Sequence, residues 1–212
     1  MLNINWKLKS VLAGLTATIA VWGCSLMAPK ADHYVAPPLG TTWESMRHDT
    51  GSYGAGSANV ASRRGERTYH GEQMLTFESP GSAILAKQSG NWVGVFDGDK
   101  PLITWDPPLT WEWPLEVGKS WTREQRMTIH AAKATVPYSV TQKVEAYEDV
   151  MVPAGTFKTF KVSTVTSLGD ESLVWYSPEL GIFVKQSLKR TAKSRQGAGT
   201  REIELLSYKR GG

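Results

Sequence analysis

The sequence predicts an all-β domain, a strongly curved antiparallel sheet or barrel, and three observations predict it. Apolar and polar residues alternate with a period of two through most of residues 41 to 212. Clusters rich in Gly, Pro, Asp and Ser interrupt that alternation at short intervals, as turns do between strands. No stretch of the same region carries the 3.6-residue apolar repeat of an amphipathic helix. Ten or more short strands with helix-poor connections must bury an apolar face, and a sheet curling onto itself or a two-sheet sandwich does so. The composition agrees: 212 residues at 41% apolar and 21% charged make one good-sized globular domain. Disordered, collagen-like, coiled-coil and multi-pass membrane chains have other compositions.

Residues 1–23 carry Lys7 and Lys9, then the uncharged run VLAGLTATIAVW (11 to 22), then Gly23 and the only cysteine, Cys24. A positive start, an apolar middle and a small residue before a cut are the parts of a secretory signal peptide. Val21, Gly23 and Cys24 resemble the lipobox of bacterial lipoprotein signals, with an aliphatic residue three before the cysteine and Gly just before it. Trp22 is bulkier than the residue usual at its place. The resemblance implies cleavage before Cys24, a diacylglycerol on its sulfur and a third acyl chain on its amine, an anchor that holds because several chains insert together. Ser25, where an Asp would retain the protein at the inner membrane, implies the periplasmic face of the outer membrane. Two other readings stand. The uncharged stretch from Ser10 to Pro29 is close to the length that spans a bilayer, and Cys24 would otherwise be one apolar residue of an ordinary cleaved signal. All three place the folded part outside the cytoplasm.

Loss of residues 1–23 leaves 22 basic against 20 acidic side chains, a net +2. The charge is uneven: from Lys185 onward eight Lys or Arg face only Glu202 and Glu204, while residues 24–184 hold 14 basic and 18 acidic side chains. Such a basic end can meet lipid headgroups or anionic envelope polymers. Equally, KRTAKSRQGAGTR (189 to 201) reads as a solvated hairpin loop between two strands.

Residues 24–40, including MAPKADHYVAPPLG (27 to 40), read as a Pro-rich tether, and residues 41–212 as a single antiparallel β domain. In WTREQRMTIH, Trp121, Met127 and Ile129 fall on one face and Thr122, Glu124, Arg126, Thr128 and His130 on the other. The next strand sets Val136, Tyr138, Val140, Val144 and Ala146 opposite Ser139, Thr141, Lys143 and Glu145. Further strands are expected at 41–48, 57–69, 73–79, 82–88, 91–96, 102–105, 156–166, 171–176, 182–190 and 200–208. Turn signals separate them: SPGS (79 to 82), SGN (89 to 91), DGDKP (97 to 101), PAG (153 to 155), LGDE (168 to 171) and SPELG (177 to 181). Residues 47–65 are so rich in Gly and Ser that a loose loop is expected there as readily as paired strands.

Three segments carry a further resemblance: WEWPLEVGKSW (111 to 121), VPAGTFKTFKV (152 to 162) and WYSPELGIFVKQS (175 to 187). They resemble successive blocks of bacterial envelope proteins of the DUF3108-like or TapB-like kind. The resemblance spans residues 105–190 and implies a β-rich domain; it brings no catalytic residues with it.

The tryptophans are the most unusual feature. Trp105, Trp111, Trp113 and Trp121 fall within 17 residues, with Trp43, Trp92 and Trp175 elsewhere. Indole faces at the mouth of a curved sheet can stack on sugar rings or hold an acyl chain. Trp105, Trp111, Trp113, Trp121 and Trp175 are therefore the candidate ligand-binding residues, and Cys24 the lipid-attachment residue. Core packing is the competing reading, with Trp111 and Trp113 on one side of a strand and plugging a barrel end beside Pro107, Pro108 and Pro114.

Asp106 with Glu112 or Glu116 is the one aromatic-flanked carboxylate set, the minimum for glycoside hydrolysis. Asp97 and Asp99 in FDGDKP read better as a hairpin turn than as a calcium loop. His130 is expected on a solvent-facing side, His33 in the tether, and His48 and His70 beside turns. With no G-x-S-x-G serine and one cysteine, nucleophilic hydrolase chemistry has no foothold, and no metal or cofactor motif is present.

These features predict a non-catalytic cell-envelope lipoprotein, held to the membrane through Cys24, whose curved β domain binds an amphiphile, a glycan or an envelope partner. A structural or assembly accessory with a filled interior, making contacts through sheet edges and basic C-terminal strands, is the alternative. An envelope glycan hydrolase is third. Nucleic acid is not an expected partner of an exported chain.

Overall fold

The computed structural model describes residues 29–212; the signal-like segment, Cys24 and the tether up to residue 28 lie outside the described residues. The chain runs through β1 (Lys30–Ala31), β2 (Thr42–Gly51), β3 (Gly56–Tyr69), β4 (Glu72–Ser79), β5 (Ser82–Ala86), β6 (Trp92–Asp97) and β7 (Lys100–Leu109). It continues through β8 (Leu115–Glu116), β9 (Ser120–Ile129), β10 (Ala134–Val152), β11 (Gly155–Thr166), β12 (Asp170–Ser177), β13 (Ile182–Arg190) and β14 (Gly199–Lys209). Twelve of these strands form one closed antiparallel barrel, β2 to β7 followed by β9 to β14; β1 and β8 pair separately. Two seams complete the wall: β7 meets β9 from Ile103↔Ile129 to Asp106↔Arg126, and β14 meets β2 from Gly199↔Gly51 to Lys209↔Thr42. Closure gives every one of those strands a neighbour on both sides, and leaves the expected contacts through sheet edges only short stretches such as Ser120–Gln125 of β9, which does not pair with β7.

Alternation becomes burial in the way the pattern requires. In β9, Trp121, Gln125 and Met127 are buried while Thr122, Glu124 and Arg126 are exposed. Val144, Val162 and Val174 stand in register across β10, β11 and β12 and form one buried row, the cross-strand packing that stabilises a sheet. They belong to a core with Ala31, Leu115, Trp121, Phe160 and Tyr176. A second core gathers Val152, Ile182, Val184 and Leu205, and a third Met74, Leu85 and Phe96.

Four expectations need correction. Residues 47–65 are not a loose loop: β2 and β3 pair from Thr42↔Arg63 to Asp49↔Gly56, because a ladder needs backbone groups and not large side chains. Ala146 does not continue the apolar face of β10. A bulge shifts the register between Val144 and Ala146, and Tyr147 packs on the core instead. Trp111 and Trp113 lie on the irregular connection between β7 and β8, not on a strand. Nor are residues 30–40 a tether: Lys30 and Ala31 pair with Glu116 and Leu115, Ala31 and Pro37 are buried, and Gly40 N–H donates to the Arg64 carbonyl. Ala31, Tyr34 and Pro37 of that segment turn toward the barrel while Val35 and Leu39 stay exposed, a pattern that is neither the alternation of a strand nor the repeat of a helix.

Strand direction sorts the connections to two ends. One end, called here the aromatic end, carries the turns at 153–154 and 178–181, the 110–119 connection, the docked segment 30–40 and the chain's C-terminus. The other, the basic end, carries the turns at 52–55, 130–133 and 167–169 and the loop 191–198. That loop joins β13 to β14 as a hairpin, the solvated reading of KRTAKSRQGAGTR, and Lys193 and Arg195 on it are exposed.

Candidate functional site

At the aromatic end the turn between β12 and β13 and the connection after β7 bring Trp111, Trp113, Tyr176 and Phe183 together. Trp111 lies 5.6 Å from Phe183, 5.7 Å from Tyr176 and 6.3 Å from Trp113, centroid to centroid. Trp113 lies 5.8 Å from Tyr176, and Trp92 joins through Phe183 at 6.2 Å. Tyr34 completes the group from the docked segment, 6.2 Å from both Trp113 and Tyr176. Its hydroxyl donates to the Gly181 carbonyl at 3.1 Å, and burial pushes its pKa up, as it does for Tyr176.

Two glycines make room for this segment. A Cβ on Gly90 would stand 2.6 Å from the Tyr34 ring, and one on Gly181 would stand 2.3 Å from the Val35 carbonyl oxygen. Both glycines hold positive φ, the conformation glycine adopts without strain.

The five candidate tryptophans therefore have separate environments. Trp111 and Trp113 pack against one core, and Trp121 is a buried member of it, its indole N–H shared between Gln142 Oε1 at 3.0 Å and the Thr110 carbonyl at 3.3 Å. Trp105 stands opposite Met127 in the seam between β7 and β9. Trp175 packs against the second core, donates to Glu148 Oε1 at 2.8 Å, and has the ammonium groups of Lys161 and Lys185 at 5.3 and 5.7 Å from its ring. The indole N–H groups of Trp105 and Trp113 are buried with no hydrogen-bond partner among the described residues. Tyr34, Tyr176 and Phe183 were not singled out by the sequence, and Trp92 was noted among the tryptophans but not as a candidate. Tyr176 and Phe183 flank the SPELG turn, a usable signal; nothing around Tyr34 marks it.

This geometry limits what can bind. A planar ligand stacked between two rings needs about 7 Å between them, two contact gaps of roughly 3.5 Å each. The centroid separations of 5.6–6.3 Å are those of rings in direct contact. Hollows open instead on the barrel wall. One of about 600 Å³ is lined by Thr42, Glu44, Arg63, Glu78 and Lys209 among others, and one of about 270 Å³ by Met46, His48, Ser57, Glu202 and Glu204. In the first, Arg63 pairs with Glu78 at 2.6 Å and holds its carboxyl below the usual range.

The carboxylates of the glycosidase reading have cations for neighbours. Glu112 pairs with Arg123, Glu116 with Lys30 at 3.5 Å, and Asp106 stands across the ladder from Arg126. Asp97 and Lys100 close a hairpin whose Gly98 carbonyl accepts from Arg67 Nη1 at 2.7 Å. His130 is not the solvent-facing residue expected: it is half-buried at the start of a 3-10 turn, His130–Ala132, whose two alanines are exposed, and its Nε2 lies 3.0 Å from Thr104 Oγ1. His48 bonds Ser57 at 2.9 Å and the His70 ring sits 4.1 Å from that of Tyr69. Among the described residues no group of three or more His, Cys, Asp or Glu is placed to hold a metal ion.

The basic end is built from charge. Asp49 accepts from Arg201 Nε at 2.7 Å and Nη2 at 2.8 Å, with Arg47 at 3.2 Å. The hydrogen bonds from Arg201 are the main cause of a lowered Asp49 pKa. Tyr53 has two guanidinium groups over its ring, Arg190 at 3.8 Å and Arg201 at 4.7 Å from the centroid, a cation–π arrangement.

No family model and no curated protein matches the chain. Solved structures do. A protein from Bacteroides fragilis described as exported, with a YmcC-like fold, is 14% identical, and the match covers 85% of this chain and all of that one at a TM-score of 0.45. A protein from Parabacteroides distasonis described as a lipoprotein is 11% identical over 84% of this chain and 99% of that one, with a TM-score of 0.42. The hypothetical lipoprotein YmcC from Escherichia coli is 11% identical over 78% of this chain and 84% of that one, with a TM-score of 0.37.

Proposed function

We propose that this chain is an exported, lipid-anchored and non-catalytic component of a bacterial cell envelope that works through its outer surface, as a structural or assembly accessory, with its aromatic end serving as packed core. The anchor half of the reading rests on Val21, Gly23 and Cys24 and on the charge and length of the segment before them. Ser25 favours the outer membrane, and the three segments between residues 105 and 190 keep the DUF3108-like or TapB-like resemblance within the reading.

One observation carries the other half. The tryptophans that sequence reasoning offered as a ligand platform at this end are partly buried and in contact with Tyr176, Phe183 and the docked Tyr34, which leaves no gap between the rings for a stacked ligand. Binding of an amphiphile or glycan is the second reading, favoured by the groove of about 600 Å³ on the wall, where Trp43 and Tyr208 line it together with Glu44, Arg63 and Lys209.

Native mass spectrometry tests the proposal, on the full chain extracted in mild detergent from its own envelope, beside Cys24→Ala and a Trp111→Ala, Trp113→Ala double variant. The parent is expected to carry the mass of acyl groups that the Cys24→Ala form lacks, and no further small molecule. A parent of unmodified mass sinks the anchor. A lipid or glycan mass present on the parent and lost from the double variant makes the aromatic end a binding site and overturns the accessory reading.

A further inference from the structure

We propose that the aromatic end of the barrel is seated on the lipid surface that holds the anchor, so that the basic end points away from it; this rests on the lipid-anchor reading of Cys24. The path of the chain is the first ground. Lys30 is already paired with Glu116 at the aromatic end, and Cys24 precedes it by six Cα steps, a reach of at most roughly 20 Å. A ten-residue strand such as β9 is roughly 33 Å long. The connection is thus shorter than the wall, and it leaves from the aromatic end.

The distribution of exposed apolar side chains is the second ground and is independent of the first. Six large hydrophobic residues are exposed among the described residues, and four of them belong to the aromatic end: Val35 at 53%, Leu39 at 56%, Val117 at 50% and Met151 at 79%. Val35 and Leu39 are on the docked segment, Val117 on the turn after β8, and Met151 at the end of β10 beside the 153–154 turn. Met46 is on the wall, and Val165 is the one at the basic end, next to last in β11 beside the 167–169 turn. Apolar side chains in water next to a bilayer lose free energy by entering the boundary between headgroups and acyl chains, and short insertions of this kind suffice when a covalent anchor holds the protein close.

Charge is compatible with a lipid surface. Lys30, Lys209 and Arg210 are exposed at the same end, where anionic headgroups attract them, although Lys30 also pairs with Asp32 at 3.2 Å and Glu116 at 3.5 Å. The seating assigns the other end by geometry. Lys193 and Arg195, on the loop between β13 and β14, stand away from the anchoring membrane, so that basic loop is placed for an envelope partner other than those headgroups.

The acylated full chain offers a direct test, since blocking of Cys24 leaves no other thiol. Single variants Leu39→Cys, Val117→Cys, Met151→Cys, Ser52→Cys and Lys193→Cys are labelled with an environment-sensitive fluorophore. Each is reconstituted in phosphatidylethanolamine–phosphatidylglycerol vesicles containing a headgroup-proximal quencher lipid. Labels at residues 39, 117 and 151 are expected to be quenched about threefold or more relative to those at 52 and 193, because an inserted side chain enters the headgroup and acyl boundary. Equal quenching at both ends in protein that floats with the vesicles overturns the seating and leaves the anchor standing. Protein that does not float overturns the anchor, and the seating with it. A Leu39→Ser, Met151→Ser variant, folded by circular dichroism and still floating, is expected to lose most of the quenching at 117; full retention of it overturns the role of the apolar side chains.

Discussion

At the residue scale the basic end depends on one carboxylate. Asp49 is buried and takes two charge-assisted hydrogen bonds from Arg201 in a fork that fixes both side chains. Its pKa is depressed chiefly by those bonds, so the native state favours the ionised form more than the unfolded chain does. That preference contributes stability above the ordinary carboxylate pKa and is lost as pH falls toward the depressed one. Asp49→Asn is therefore expected to cost about 2 kcal/mol at pH 7, the scale of a hydrogen bond to a charged group. The difference should shrink as pH falls through the ordinary carboxylate range and below it, as the native carboxylate in turn takes up a proton. Urea unfolding of both forms across that range checks it; a gap that stays constant or widens in acid shows that Asp49 acts by some means other than its charge. None of this was legible beforehand. Asp49 and Arg201 are 152 positions apart, and nothing in either segment marks its residue for the other; only closure of β14 on β2 brings them together.

Among the elements, strands were legible and packing partners were not. Period-two alternation reports local geometry, since one half-buried strand imposes it without reference to its neighbours, and so β9 and β11 to β14 stand close to where the alternation and the turn residues put them. A bulge is invisible to that reasoning. Glu145 is the residue left out of the β10–β11 ladder, and it is polar, as the alternation demands at its position whether or not a bulge is there. The docked segment was missed for the opposite reason: Ala31, Tyr34 and Pro37 recur every third residue, which is neither the period of a strand nor that of a helix, and a Pro-rich stretch reads as a spacer. Its importance is measurable. Tyr34 touches Trp113 and Tyr176 and lies against Gly90 and Gly181, so Tyr34→Ala removes a ring from a contiguous aromatic cluster and is expected to cost about 3 kcal/mol. Tyr34→Phe, which keeps the ring and loses the bond to the Gly181 carbonyl, should cost only about 1 kcal/mol. Thermal unfolding followed by tryptophan emission separates the two. Were Tyr34→Ala to match the parent in midpoint and emission maximum, the segment would be a tether after all.

For the whole molecule the decisive feature is closure. Eleven of the twelve junctions in the wall join strands that are sequence neighbours or, at β7 and β9, are separated only by β8; the twelfth joins β14 to β2 across almost the entire described chain. In an open sheet β14 would be an edge strand held by β13 alone, over the six pairs from Lys185↔Glu204 to Arg190↔Gly199. In the closed barrel it is held on both sides, with ten further pairs to β2 and the Gly211 N–H bonded to Thr41 Oγ1 at 2.9 Å. The two architectures differ in what happens when the covalent link between β13 and β14 is cut. Lys193 and Arg195 lie exposed on the loop that makes this link, and exposed loops are where proteases enter folded chains. Brief trypsin treatment is expected to nick the chain there, and the fragment carrying β14 should then co-elute with the remainder in gel filtration and separate only in denaturant. Removing the same strand from the gene should instead prevent folding, because it leaves two long unpaired edges and strips Leu205 from the second core. Release of the nicked fragment under native conditions would show that the seam with β2 contributes little, and that the barrel behaves as a curved open sheet.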